Sequence, residues 1–291
     1  MKKIFAALTL VLMFSATSAM AFTMDWVGSV RSGPGEEWVD NVYEFDWSSA
    51  GSGAVVPTGD NPFSFTNPEV GQTLDFLYQA QLVALTGPAG EVIGWPGLNT
   101  TFEVTFVAVL PEMITSVSPV PGDFSIELTT LGGGVWYMYI DHVRNAHVPS
   151  GMGFDDGHLI ASGTWLPGYV TEFTATDIGE GIGSFQIGGL VNFADDDFID
   201  PVYFPDGSQL LYDIMIGGTA NQPAGTSTTS AFFGSRAGEG NLDVYAIEDV
   251  IQLFKVDGHH TFSVIPEPST VILLGLGLLG LAGYSRKKFK K

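Results

Sequence analysis

Apolar and polar residues alternate over much of this chain. In TLDFLYQAQLVAL, Leu74, Phe76, Tyr78, Ala80 and Leu82 fall on one side, with Asp75, Gln79 and Gln81 on the other. FEVTFVAV repeats the pattern with Phe102, Val104, Phe106 and Ala108, and DFSIELTT with Phe124, Ile126 and Leu128 against Ser125, Glu127 and Thr129. A period of two is that of a strand with one face in a core. NVYEFDW, VWYMYID, HLIASGTW, YVTEFTA, QIGGLVNF, QLLYDIMI, STTSAFF, DVYAIEDVIQLFKV and HTFSVI supply further strand candidates. Turn-formers such as SAGSG, TGDNP, LGGG, PSGMG and NQPAGTST stand between them. Helical periodicity is nearly absent, so the pattern predicts an all-β fold. The expected form is a mostly antiparallel β-sandwich, jelly-roll-like, with aromatic and β-branched inner faces and acidic outer ones.

The two ends depart from this pattern. MKKIFAALTLVLMFSATSAMA has Lys2 and Lys3, an apolar run from Ile4 to Phe14, and Ala19-Met20-Ala21. A basic head, a short apolar middle and small residues at the end make a secretory signal peptide over 1–21, cleaved after Ala21 so that the mature chain starts at Phe22. At the other end Val271 to Tyr284 is uncharged and Arg286, Lys287, Lys288, Lys290 and Lys291 follow. At ~1.5 Å rise per residue this predicts a short transmembrane helix at the lower limit for crossing a bilayer, its basic end held on the cytoplasmic side. Gly275, Gly277 and Gly280 spell G-x-G-x-x-G, but no strand precedes them and no βαβ unit surrounds them, which excludes a dinucleotide site.

Pro266-Glu267-Pro268, the apolar segment and the basic tail together resemble the PEP-CTERM sorting signal of Gram-negative envelope proteins. The resemblance divides the chain into a signal peptide at 1–21, an exported β-sandwich domain at 22–263 and a sorting signal at 264–291. It implies transient anchoring in the inner membrane and processing near Pro266, Glu267 and Pro268 by an exosortase, a membrane-embedded cysteine enzyme. The product would reach the cell surface or the exterior. Two prolines fix an extended, unpaired backbone that a protease-like cleft can grip, which suits that role. The alternative reading of the same segment is a permanent anchor. A second stretch, YMYIDHVRNAHVPSGMGFDDGHLIASGTWLPG, is similar to a segment of the flocculation-associated PEP-CTERM proteins, as is Ser-Ala-Phe-Phe at Ser230 to Phe233. That similarity implies a structural role in biofilm or floc formation beside exopolysaccharide.

Charge narrows the choice of partners. Between Phe22 and Ile265 only Arg31, Arg144, Arg236 and Lys255 are basic, against 31 acidic residues, a formal charge of −27. Such a field disfavours nucleic acid and anionic membrane surfaces and favours divalent cations. With no cysteine in the chain, an exported fold must rest on its core.

For catalysis the sequence offers little. G-x-S-x-G and H-E-x-x-H are absent, and His142, His147, His158, His259 and His260 have no triad or zinc spacing. The expectation is a non-enzyme. Two acidic clusters suit calcium, which takes oxygen ligands from carboxylates, backbone and water. Asp141, Asp155 and Asp156 bracket one loop, which also holds His142, Asn145 and His147; Asp195, Asp196, Asp197, Asp200 and Asp206 form the second cluster. The first is the chosen metal site. Neither is an EF-hand, because Ile199 and Asp200 stand where that loop needs an oxygen ligand and a glycine. The alternative function is a secreted carbohydrate-binding module or carbohydrate-active enzyme. Among the tryptophans, Trp95 in VIGWPGLN is the expected exposed platform for a sugar ring and Trp136 is expected in the core.

Overall fold

The computed structural model describes residues 24–25, 28–120, 123–177, 180–200, 212–234, 245–246, 250 and 252–264. The strands in chain order are β1 (Met24–Asp25), β2 (Gly28–Val30), β3 (Val39–Val42), β4 (Glu44–Trp47), β5 (Gly51–Thr58), β6 (Thr73–Thr86), β7 (Val92–Ile93), β8 (Glu103–Val120) and β9 (Asp123–Thr130). They continue with β10 (Val135–Asp141), β11 (His158–Trp165), β12 (Val170–Asp177), β13 (Glu180–Ala194), β14 (Tyr212–Gln222), β15 (Ala231–Phe232), β16 (Tyr245–Ala246) and β17 (Gln252–Val264). Among the described residues a single 3-10 turn at Gly225–Ser227 is the only helix, and none is long and apolar enough to cross a membrane. The signal peptide and the apolar carboxyl-terminal segment lie outside the described residues.

The expected antiparallel all-β architecture is present, and its pairings run round in a ring. One circuit passes β6, β8, β9, β12, β13, β14, β17, β5 and back to β6. A second passes β6, β8, β10, β11, β13, β14, β17, β4 and back to β6. Strands β6, β8, β13, β14 and β17 run the full height. Three further positions are each filled by two collinear short strands: β4 with β5, β9 with β10, β11 with β12. The sandwich edges are thus joined into a closed barrel of eight staves, which leaves no long edge unpaired among the described residues. The jelly-roll order expected from sequence is corrected here. Each stave neighbours the next in sequence, giving a meander, because consecutive strands such as β8 with β9 and β12 with β13 pair antiparallel.

The mid-height breaks have local causes. LGGG, expected as a turn, interrupts one stave between Thr130 and Val135, with Gly132 and Gly133 at φ 77° and 79°, where a side chain would be strained. Pro111 of β8 faces this break, so the N–H that proline lacks is not needed by a neighbour, while its carbonyl accepts from Leu131 N at 2.9 Å. Thr130 then stitches the break to the adjacent one, donating from Oγ1 to Leu166 O at 2.8 Å and accepting from Tyr169 N at 3.0 Å.

Inside the ring, the inward residues read from the alternation form one core: Leu74, Tyr78, Ala80, Leu82, Phe102, Val104, Phe106, Ala108, Phe124, Ile126 and Leu128, with Trp47 and Trp136 fully buried. The opposite face of β5, β6, β8 and β10 is not uniformly acidic. Ala54, Val56, Leu77, Val107, Val109 and Tyr139 carry a second apolar cluster, closed over by Phe154, Phe232 and Phe233 from connecting segments. One pole of the barrel holds Val264, Tyr212, Glu44, Thr86, Glu103, Asp141 and His158. The other holds Thr58, Thr73, Val120, Asp123, Gln222 and Gln252.

Candidate functional site

Polar residues on the outer face of the staves hold the covering segments. Ser52 donates to Ser227 O at 2.8 Å, Thr105 to Phe154 O at 2.8 Å, and Gln79 Oε1 accepts from Phe233 N at 3.3 Å. Glu103, at the start of β8, grips the acidic loop. Its Oε1 accepts from the amides of Asn145 and Ala146 at 2.7 and 2.8 Å, and its Oε2 accepts from Gln81 Nε2 at 2.7 Å. Burial pushes the Glu103 carboxyl above the usual glutamate range, the two amides pull it back, and the charges of Asp141 and Asp156 add to the rise.

In the chosen metal loop, Asp141 Oδ1 accepts from Val143 N at 2.7 Å, Asp156 Oδ2 accepts from Asn145 Nδ2 at 3.0 Å, and Asp155 is buried. Asp156 Oδ1 is buried with no hydrogen-bond partner. Among the described residues no three His, Cys, Asp or Glu side chains are gathered to hold a metal ion, Asp141, Asp155 and Asp156 included. The loop is organised instead by Glu103, 42 residues from Asn145 in sequence, a distance over which residue spacing carries no signal. Replacing Glu103 by Leu should strand two amide donors and cost about 2–4 kcal/mol in denaturant unfolding. Amide exchange at Asn145 and Ala146 should quicken, and Glu103→Gln, which keeps an acceptor, should do less.

The second cluster is also engaged locally. Asp195 Oδ2 meets His158 Nε2 at 2.7 Å and Asp195 Oδ1 accepts from Asp197 N at 2.9 Å, while Asp197 Oδ1 pairs with Arg31 at 2.7 Å. Asp206 lies outside the described residues. Both clusters sit at the pole that holds Val264.

The tryptophan expectation divides. Trp136 is in the core as expected, but Trp95 is buried at 6% exposure, edge-on to Phe102 with ring centroids 5.2 Å apart. The turn that places it uses Gly97 and Asn99 at φ 94° and 57° to fold the segment back onto β8. Trp47 and Trp165 are buried too, and among the described tryptophans Trp38 is the exposed one, with the Arg31 guanidinium 4.5 Å over its ring. His260, for which the sequence offered no triad or zinc spacing, is fully buried. It stacks on Phe45 at 4.7 Å, and its Nδ1 accepts from Trp47 Nε1 at 2.8 Å. Burial, with a smaller push from His259, lowers its pKa to about 3, so it is a neutral ring in the core and a poor general base.

The 147–154 loop and the Ser230–Phe233 segment meet in space. Ser230 N donates to Pro149 O and Gly234 N to Gly151 O, both at 3.0 Å, and Phe154 packs in one cluster with Phe232 and Phe233. A Cβ on Gly151 would lie 1.8 Å from Ala231 O, so this contact requires glycine.

The closing stave β17 ends at Val264, paired with Met24 of β1 and Tyr212 of β14. Residues 264–287, which start at that last strand residue, match the family model of the PEP-CTERM protein-sorting motif. The chain carries the sorting signal of exosortase substrates. No curated protein and no solved structure matched in the corresponding comparisons. The PEP-CTERM match contains Pro266, Glu267 and Pro268; these residues and the cleavage-site residues Ala19, Ala21 and Phe22 lie outside the described residues. One residue, Ile265, separates the barrel from the PEP-CTERM tripeptide. Because Met24 pairs with Val264, both ends of the described domain leave the same pole.

Proposed function

We propose that this chain, which the PEP-CTERM motif marks as an exported exosortase substrate, is released at the cell surface or to the exterior. We propose that the released barrel is a non-enzymatic structural component of the extracellular matrix of a Gram-negative bacterium, acting in biofilm or floc formation beside exopolysaccharide. The observation that carries the reading is the packing of the 147–154 loop against Ser230–Phe233: the residues similar to flocculation-associated proteins build one surface unit on the barrel wall. The tether geometry supports it. Both acidic clusters face the pole from which the tail leaves, and a domain of charge −27 is repelled by an anionic membrane, so a cut chain departs. Trp95, the residue expected to offer a sugar platform, is buried, which counts against that basis for the carbohydrate-binding alternative.

The test is deletion of the gene with an assay of cell aggregation and matrix content. Loss of aggregation, restored by the wild-type gene and not by one with Gly151→Val, is the expected result. Aggregation unchanged on deletion would remove the matrix role.

A further inference from the structure

The alternation of β8 runs inward through Phe102, Val104, Phe106, Ala108 and Leu110, and the next two inward positions are Glu112 and Ile114. A carboxyl on that line points into the barrel. Glu112 is 5% exposed, and Thr171 of β12 donates to its Oε1 at 2.6 Å. Beside it lies a cavity of about 60 Å³ in the half of the barrel away from Val264, walled chiefly by Phe76, Phe173, Phe185 and Phe254. Across it Phe76 and Phe185 stand 6.3 Å apart, and Phe173 and Phe254 meet edge-on at 5.5 Å. Most of the core is sealed, but Phe65, Phe76 and Phe185 are only partly buried, which marks a way in beneath the 59–72 connection.

A void costs stability in proportion to its size, and a carboxyl on an apolar wall costs more. Leucine or isoleucine stands at the flanking inward positions, so neither feature is forced by the fold. Thr171 satisfies one oxygen, and Glu112 retains hydrogen-bonding capacity on the side of the cavity. A cavity with aromatic walls and one polar group is the form of a small-molecule site, in which the walls supply affinity and the polar group fixes orientation. The narrow space selects a slender ligand, and apolar walls with the other lining carboxylate, Glu172, exposed to solvent select an uncharged one.

We infer that the barrel binds a slender, uncharged, mostly hydrocarbon molecule whose single hydroxyl or carbonyl oxygen hydrogen-bonds to Glu112. This site is independent of the matrix role and lies at the pole opposite the sorting tail. Hexanol is the probe, titrated into the exported protein recovered from outside the cells without detergent and followed by amide chemical shifts. Saturable shifts confined to the Phe76, Glu112, Thr171 and Phe185 region are expected. Ala220→Leu, which fills the cavity from β14, should abolish them. Glu112→Leu should weaken hexanol relative to hexane by about tenfold, the loss of one hydrogen bond, and Glu112→Gln should not. Absence of saturable shifts, equal affinity in Ala220→Leu, or an unchanged hexanol-to-hexane ratio in Glu112→Leu would overturn the site. Hexylamine binding more tightly than hexanol would overturn the uncharged head.

Discussion

Replacing Pro266, Glu267 and Pro268 together by alanine should leave the protein in the membrane fraction with its tail through Lys291 intact, while the wild type is recovered outside the cell. The expected effect is close to complete, because the signal is read as an extended segment. Proline disfavours helix and removes a backbone donor, so the two prolines are expected to leave the segment open to an enzyme cleft, whereas alanines would favour helix there. The barrel is untouched, since β17 ends at Val264, before the substituted residues. Exchanges among the apolar residues of Val271 to Tyr284 that keep hydrophobicity should have little effect, because a bilayer reads total apolar length more than identity. Fractionation with immunodetection measures both. Normal release of the triple-alanine protein would leave a plain membrane anchor.

A second large effect should come from pH acting on Glu112. Burial pushes its carboxyl up to about 7, and the Thr171 hydrogen bond restrains the rise. A folded pKa above the unfolded 4.5 means that the folded state binds more protons between those values. Its contribution is therefore fully present below pH 4.5 and lost as pH climbs through about 7, a change of roughly 3 kcal/mol. Glu112→Gln should match the wild type near pH 4 and exceed it by that amount at pH 8, about 6–12 °C in melting temperature. His260 acts in the other direction. With its folded pKa lowered to about 3 from 6.5, its contribution is present above pH 6.5 and lost as pH falls toward 3. Between pH 4.5 and 6.5 the two slopes oppose, so the glutamine variant should show a rise with pH of ~1.4 kcal/mol per unit there that the wild type masks. A stability difference between wild type and variant that ignores pH would place Glu112 in solvent.

What the sequence reveals here depends on range. Period two is local, so Leu74 to Leu82 and Phe102 to Ala108 announce their buried face without any partner being known. The sorting tripeptide is legible for the same reason, being a linear signal. Closure of the barrel is not legible, since alternation says which face is buried and nothing about which strand pairs with which. The meander instead of a jelly roll follows from hairpins whose tips look like any other turn. The outer apolar cluster left a trace that alternation alone discards: in VTFVAVL, Val107 and Val109 interrupt the polar side, the mark of a strand covered on both faces. Glu112 was visible as the one charge on an inward line, once the line through Leu110 is extended. Trp95 misled because VIGWPGLN has the composition of an exposed turn, and only Gly97 and Asn99 in left-handed conformations fold it back to Phe102. The acidic loop shows the same limit of range. Carboxylates close in sequence suggested a shared cation, and a distant glutamate, Glu103, turned out to hold the loop by its backbone amides.

The account stands on export followed by cleavage beside the barrel, and intact-mass measurement of the protein recovered from the medium and outer surface tests it most directly. A species that begins at Phe22 and ends near Pro268, with all of β17 retained, is the predicted result. A species from those fractions that still carries the tail through Lys291 would contradict it.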